Sequence, residues 1–229
     1  RSRGLGDVYK RQAYDMKDGT PFVWNNQSNP YDNRDPRLKY TIVCNEMKWP
    51  VDPVEIWEGG TNGLPLQNAT TTGYYLKKYV NNTISFEAGS TVTKKQHNWV
   101  LFRYGEILLN YAEAMINAFH DPNYKDAVYN MSAREAVNQI RGRTNISLPG
   151  FPSDITEKDF VKRLKNERRV ELAFEGHRFW DVRRWKELGQ TANIYGVKIT
   201  KNNEVISYEK FLLETRAVTD NMYFYPIPN

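Results

Sequence analysis

The sequence predicts a mainly α protein: a helical core packed against an irregular, loop-rich half with a few short strands. Three observations predict it. Between residues 99 and 188 apolar side chains recur at helical spacing, and two Ser/Thr-x-x-acid patterns mark helix starts within that stretch. From residue 13 to about residue 98 the chain is instead rich in Asn, Gly, Pro and Thr, and its apolar runs are short.

Each element has its own local reason. In the irregular half, residues 41–44 and 73–80 read as short strands, and Asp18-Gly19, Asn29-Pro30 and Asn62-Gly63 read as turns. The first helix is expected in WVLFRYGEILLNYAEAMINAF, where Leu101, Tyr104, Leu108, Tyr111 and Met115 form an amphipathic stripe that tolerates Gly105. Ser132-x-x-Glu135 is a capping box that opens the second helix, with Ala133, Ala136, Val137 and Ile140 as its apolar face and Gly142 and Asn145 as stop signals.

Thr156-x-x-Asp159 opens the third helix, which is expected to run through Phe160 and Leu164 to a break at Gly176. A fourth, from about Arg178 to Leu188, presents Val182, Trp185 and Leu188. After Gly189 the pattern fades into loops and short strands and ends in an extended YFYPIPN. The first two helices make a helix–turn–helix pair with an insertion at residues 120–131. The pair resembles a tetratricopeptide unit, although no clean second copy follows at a fixed period.

Composition excludes several classes. A chain of 229 residues with 40% hydrophobic content can bury a sizeable core as one domain, or two. Asp7 to Gln12 back-translates to GAT GTG TAT AAG AGA CAG, the transposon end used to tag sequencing libraries. Residues 1–12 therefore read as adapter read-through and are set aside from fold reasoning. They hold Arg1, Arg3, Lys10 and Arg11 against Asp7, a net +3, so the remaining chain carries +5 − 3 = +2. The sequence pI of 9.1 is then no argument for a nucleic-acid partner. Cys44 is the single cysteine, and His97, His120 and His177 form no HExxH-type pairing, so neither a metal site nor a cofactor is expected. No apolar run is long enough to span a membrane.

The most informative stretch is NERRVELAFEGHRFWDVRRW, residues 166–185. Glu167, Glu171 and Glu175 recur every fourth residue, continuing the helix face of Phe160 and Leu164. Carboxylates on such a stripe are either buried against arginines or line a site. Arg168, Arg169 and Arg178 precede Asp181, and Arg183 and Arg184 follow it. An arginine neighbour lowers a carboxylate pKa, whereas a general acid needs the opposite shift. Structural pairing is therefore expected ahead of a glycoside hydrolase built from the carboxylates between Glu167 and Asp181, and His177 is expected to be a packing residue. No catalytic residue is assigned.

Five segments taken together resemble the SusD/RagB family of outer-membrane nutrient-binding lipoproteins: DGTPFVWNNQSNPYDNRDPRL, TGYYLKKYV, LFRYGEILLNYAEA, the Arg/Glu/Trp stretch above, and YFYPIP. The resemblance implies tetratricopeptide-like helices packed on an irregular, ligand-bearing half. It also implies a lipid-anchored protein on the cell outer membrane, capping a SusC-type TonB-dependent transporter and delivering glycan or peptide nutrients to it. The family's lipoprotein signal and N-terminal helical half have no counterpart here, so the chain is expected to be a C-terminal portion. Any membrane attachment would come through a lipid anchor lying outside it. A helical-repeat adaptor that binds other proteins is the alternative.

A glycan site combines exposed aromatic faces for sugar C–H groups with amide or carboxylate partners for hydroxyls. Residues 45–75 offer Trp49, Trp57, Tyr74 and Tyr75 among Asp52, Asn62 and Asn68, and Trp24 stands beside Asn25 and Asn26. Trp49, Trp57, Trp24 and Tyr74 are the candidate ligand-binding residues. For Tyr74 and Tyr75 packing of loops onto the helices is the stronger expectation. For Trp49 and Trp57 both readings stand.

Overall fold

The computed structural model describes residues 12–25, 29–84, 95–98 and 100–224. The adapter-like residues 1–11, Asn26, Trp99 and the closing YPIPN lie outside the described residues. The elements, in order, are α1 (Arg37–Thr41), β1 (Ile42–Val43), β2 (Tyr75–Leu76), α2 (Tyr104–Phe119), α3 (Ala133–Arg141), α4 (Glu157–Glu171), α5 (His177–Arg184), β3 (Asn193–Asn202) and β4 (Val205–Thr215). Helices dominate, and the irregular half precedes them as the composition implied.

The helix starts are set locally. Ser132 Oγ accepts the Glu135 N–H at 3.1 Å while the Glu135 carboxylate accepts the Ser132 N–H at 2.8 Å, so the capping box is complete. At α4, Thr156 Oγ1 accepts the Asp159 N–H at 3.2 Å. The end of α4 differs from expectation. It stops at Glu171, and Gly176, in the left-handed region at φ 84°, is the residue before α5. That glycine starts a helix instead of ending one.

The face of α2 also differs. Leu108, Leu109, Ala112, Met115 and Ile116 are buried, while Tyr104 is 68% exposed and Leu101, ahead of the helix, 77% exposed. Two apolar stripes run along this helix, and packing against α3 and α4 selects the one centred on Leu109 and Ala112. After Gly189, where loops and short strands were expected, β3 and β4 pair antiparallel over ten and eleven residues. Asn203, at φ 54°, turns between them. The 58 and 72 backbones cover one edge of β3: the Glu58 N–H reaches Ile199 O at 2.9 Å, and the Val197 N–H reaches Thr72 O at 3.0 Å.

Two apolar cores result. Leu109, Ala112, Val137, Ile140, Phe160 and Leu164 join α2, α3 and α4. Tyr14, Leu38, Ile42, Tyr74, Val197, Ile199 and Tyr208 join the irregular half to the hairpin, with Val170 of α4 reaching in. A layer of buried charge lies between them. Arg37 of α1 donates to Asp35 at 2.7 Å, to Glu171 at 3.0 Å and to Glu167. Arg141 of α3 donates to Glu167 at 2.7 Å and to Asp15 at 3.2 Å. Arg103, just ahead of α2, binds Glu171 at 2.7 Å and Glu175 at 2.8 Å. Arg143 adds a second donor to Glu171 Oε2 at 2.7 Å, and Lys78 meets Glu175 at 2.6 Å.

The partners are thus distant in sequence, not the neighbouring arginines of the motif. Glu171 ties the helices to the irregular half. The link between α4 and α5 is Arg168, which holds Asp181 at 2.8 Å and reaches Asn110 of α2 at 2.6 Å.

Removing one member of a buried pair leaves the others uncompensated, at about 3–5 kcal/mol. Glu171→Ala takes one acceptor from Arg37, which keeps Asp35 and Glu167, one from Arg103, which keeps Glu175, and the carboxylate of Arg143, and should lower the unfolding free energy by up to about that amount. Urea denaturation followed by circular dichroism measures it; a variant within ~0.5 kcal/mol of the parent would show that the network contributes nothing.

Candidate functional site

The carboxylate cluster on α4 is the first place to look for chemistry. Burial pushes the Glu171 carboxyl up, but the charge of Arg37 and the hydrogen bond from Arg103, with Arg143 beside them, outweigh it and hold the group at about 2. Glu167 is lowered on the same balance, burial against Arg37 and Arg141; Glu175 is lowered with Arg103 and Lys78 as its partners. All three are ionised acceptors with their lone pairs committed. Asp181 is buried between Arg168 and Arg184. His177 faces Glu106 at 3.5 Å. A proton-donating acid is the one role this cluster is built against. Among the described residues no group of three or more His, Cys, Asp or Glu side chains could hold a metal ion. No described helix is long and apolar enough to cross a membrane.

The second place is the loop module of residues 45–75. Its frame is built from side-chain amides and a hydroxyl bonded to backbone groups. Asn45, buried, accepts the Ile56 N–H at 2.8 Å and reaches the Tyr208 hydroxyl at 3.4 Å. Asn62 Oδ1 accepts the Glu55 N–H at 3.1 Å, and the Tyr75 hydroxyl donates to Asn62 O at 2.6 Å. A small turn carries Trp49: its N–H reaches Asp52 O at 2.9 Å, and Val54 N–H reaches Met47 O at 2.9 Å. Trp57 lies on the following loop, where Gly63 comes so close that a Cβ there would stand 2.0 Å from Trp57 O.

The candidate residues part company here. Tyr74 is 1% exposed, edge-on to Tyr31, and belongs to the core; a ring buried there has no face for a ligand. Trp49, Trp57 and Trp24 are half-buried against the same core and keep part of each ring in solvent. Trp24 packs edge-on to Phe22 at 6.4 Å. Trp49 and Trp57 sit on separate turns, each beneath a lysine: Lys77 Nζ is 4.8 Å from the Trp49 ring centre and Lys201 Nζ 4.4 Å from that of Trp57. Asp52, Asn62 and Asn68 are exposed around them.

Beside Trp57 opens a cavity of about 240 Å³, between its loop neighbours Ile56 and Glu58, the Thr70 and Thr71 backbone, and Val197, Lys198, Ile199 and Phe211 of the hairpin. Its volume is below the roughly 300–1,000 Å³ of sites for drug-sized ligands, a scale suited to one ring of a chain. Neither the hairpin nor its lysines were among the candidate residues. Their signal was present as the alternation of Tyr195, Val197 and Ile199, weakened by a turn of Asn203-Glu204 in place of Asn-Gly.

The SusD family model matches residues 9–229. This chain belongs to the SusD family. A SusD-like protein of Bacteroides fragilis superposes with a TM-score of 0.76 at 26% identity, covering 95% of this chain and 42% of that one. A second structure from the same species, a SusD-like carbohydrate binding protein, gives 0.70 at 25% identity, covering 97% and 45%. SusD-like protein P38 of Formosa agariphila is 37% identical over 91 residues, which is 37% of this chain and 16% of that protein. The chain therefore spans less than half the length of the SusD-like structures it matches.

Two outcomes follow from this geometry. The folded values of Glu167, Glu171 and Glu175 lie below the ordinary 4.5, so their stabilisation is fully present above about pH 4.5 and is lost as pH falls through the folded values, about 2 for Glu171. Denaturant midpoints should drop across that window, and Glu171→Gln should flatten the drop. Gly63→Ala should push the Trp57 loop off its frame, cost about 1–3 kcal/mol and shift indole fluorescence; unchanged emission and stability would show that the loop has slack.

Proposed function

We propose that this chain is the ligand-bearing region of a non-catalytic surface protein that binds glycan nutrients and passes them to a SusC-type TonB-dependent transporter of the outer membrane. The observation that carries the reading is a division of labour. The carboxylates that could support hydrolysis are consumed by arginines, while half-exposed indoles stand on a framed loop half with amides and hydroxyls around them. Family membership supports it, and so does the likeness to a SusD-like carbohydrate binding protein of Bacteroides fragilis. Peptide nutrients are the alternative cargo, and attachment to the membrane would come through a lipid anchor. A protein-binding adaptor is less well supported, because the described helices contain one hairpin pair, α2 and α3, and no repeat of it at a fixed period.

The test is a glycan and peptide binding screen on the full-length protein, followed by single substitutions. Trp49→Ala and Trp57→Ala should each weaken glycan binding by about 0.5–1.5 kcal/mol beyond lost burial, with circular dichroism unchanged. If both variants bind normally, or both unfold, these rings are not the platform. Turnover of a glycoside by the parent protein would revive the hydrolase reading.

A further inference from the structure

Building on the glycan-binding reading above, we infer that the ligand that meets the Trp49 and Trp57 rings is an anionic glycan, a polysaccharide carrying carboxylate or sulfate groups. Of the lysines that lie on aromatic rings of the loop half and hairpin, three stand out. Lys77 Nζ is 4.8 Å from the Trp49 ring centre, Lys201 Nζ 4.4 Å from Trp57, and Lys210 Nζ 4.1 Å from Tyr195. Among the described residues none of the three makes an ion pair. Two other ring-covering lysines do: Lys78, over Tyr79, meets Glu175 at 2.6 Å, and Lys165, over Trp185, meets Glu187 at 2.6 Å.

Register makes the placement more telling. Tyr195, Val197, Ile199 and Lys201 alternate onto one face of β3, and Lys210 of β4 stands across from Val197 on that face. It is the face that packs on the loop core. If covering a ring were the whole task, Leu or Met would do it without bringing a charge toward apolar surroundings. A cation kept there without an acid partner is a cation available to a ligand.

The rings and ammoniums together select a chemistry. A neutral sugar stacking on the covered face of Trp57 displaces Lys201 and forfeits its attraction to the ring. An acidic sugar stacks on the same face and hands the displaced ammonium a carboxylate or sulfate oxygen, a charge-assisted bond.

The experiment titrates the full-length protein with polygalacturonate and chondroitin sulfate, and with fully methyl-esterified polygalacturonate and starch as neutral references. The expected result is binding of an acidic polymer at least about tenfold tighter than the neutral references, weakening as salt rises from about 50 to about 500 mM. Lys201→Met, which keeps the ring covered, should weaken acidic-glycan binding about three- to tenfold, and Lys77→Met serves as the second variant should the first perturb folding. Binding of starch or the ester with equal affinity, indifferent to salt and to both lysine substitutions, overturns the charge assignment and leaves the glycan reading standing. Binding of peptides alone, with no glycan bound, overturns both.

Discussion

A sheet of buried charge on one side of α4 is the constraint on which the rest of the molecule depends. Glu167 and Glu171 rise along that side, Glu175 follows just past its end, and the cations facing them come from α1, α3, the residue ahead of α2 and the loop that follows β2. Buried ion pairs are weak sources of net stability, since desolvation cancels most of the attraction, but they discriminate sharply between arrangements. Here the discrimination is rotational and axial. Turning or sliding α4 by one residue would bring Asn166 or Arg168 to the place of Glu167 and Val170 or Leu172 to that of Glu171, and leave the glutamates without partners. The network sets which face of the helical layer meets the irregular half, and so fixes the frame from which the tryptophan loops project.

That role explains why an acid-rich helix in a binding protein carries no chemistry. Each carboxylate is both desolvated and surrounded by donors, the combination that keeps it ionised and occupied. The recognition surface is instead assembled where the chain is irregular, from loops whose amides are spent on backbone groups. Asn45 and Asn62 are examples: types often read as ligand contacts, they spend side-chain oxygens on Ile56 and Glu55 N–H groups. Rigidity of those loops comes from such internal bonds and not from secondary structure.

How much was legible in the sequence follows from the range of each interaction. The starts of α3 and α4 were, because a capping box spans only four residues. The buried face of α2 was legible only in part: Leu108 and Met115 of the expected stripe are buried, but Leu109 and Ala112 take the centre and Tyr104 is left exposed, a choice that only the neighbouring helices decide. That Glu167 and Glu171 would pair with arginines was legible, but which ones was not: Arg37 lies 130 and 134 residues from them. Of the aromatic candidates, Tyr74 is buried in the core, in line with the expectation that it packs the loops, while Trp49 and Trp57 are only half-buried. The lysines above those rings belong to other segments and carry no local pattern that announces the contact.

The span between Arg37 and Glu167 also bears on how the polypeptide reaches its native state. During synthesis the loop half emerges first, yet its central guanidinium has only Asp35 to hold until α4 has been made. The early segment must wait, with its apolar residues exposed, for a helix encoded more than a hundred positions later. Contacts of such high order make folding slow and the waiting intermediate adhesive. They also couple the two cores, so that neither is expected to melt without the other.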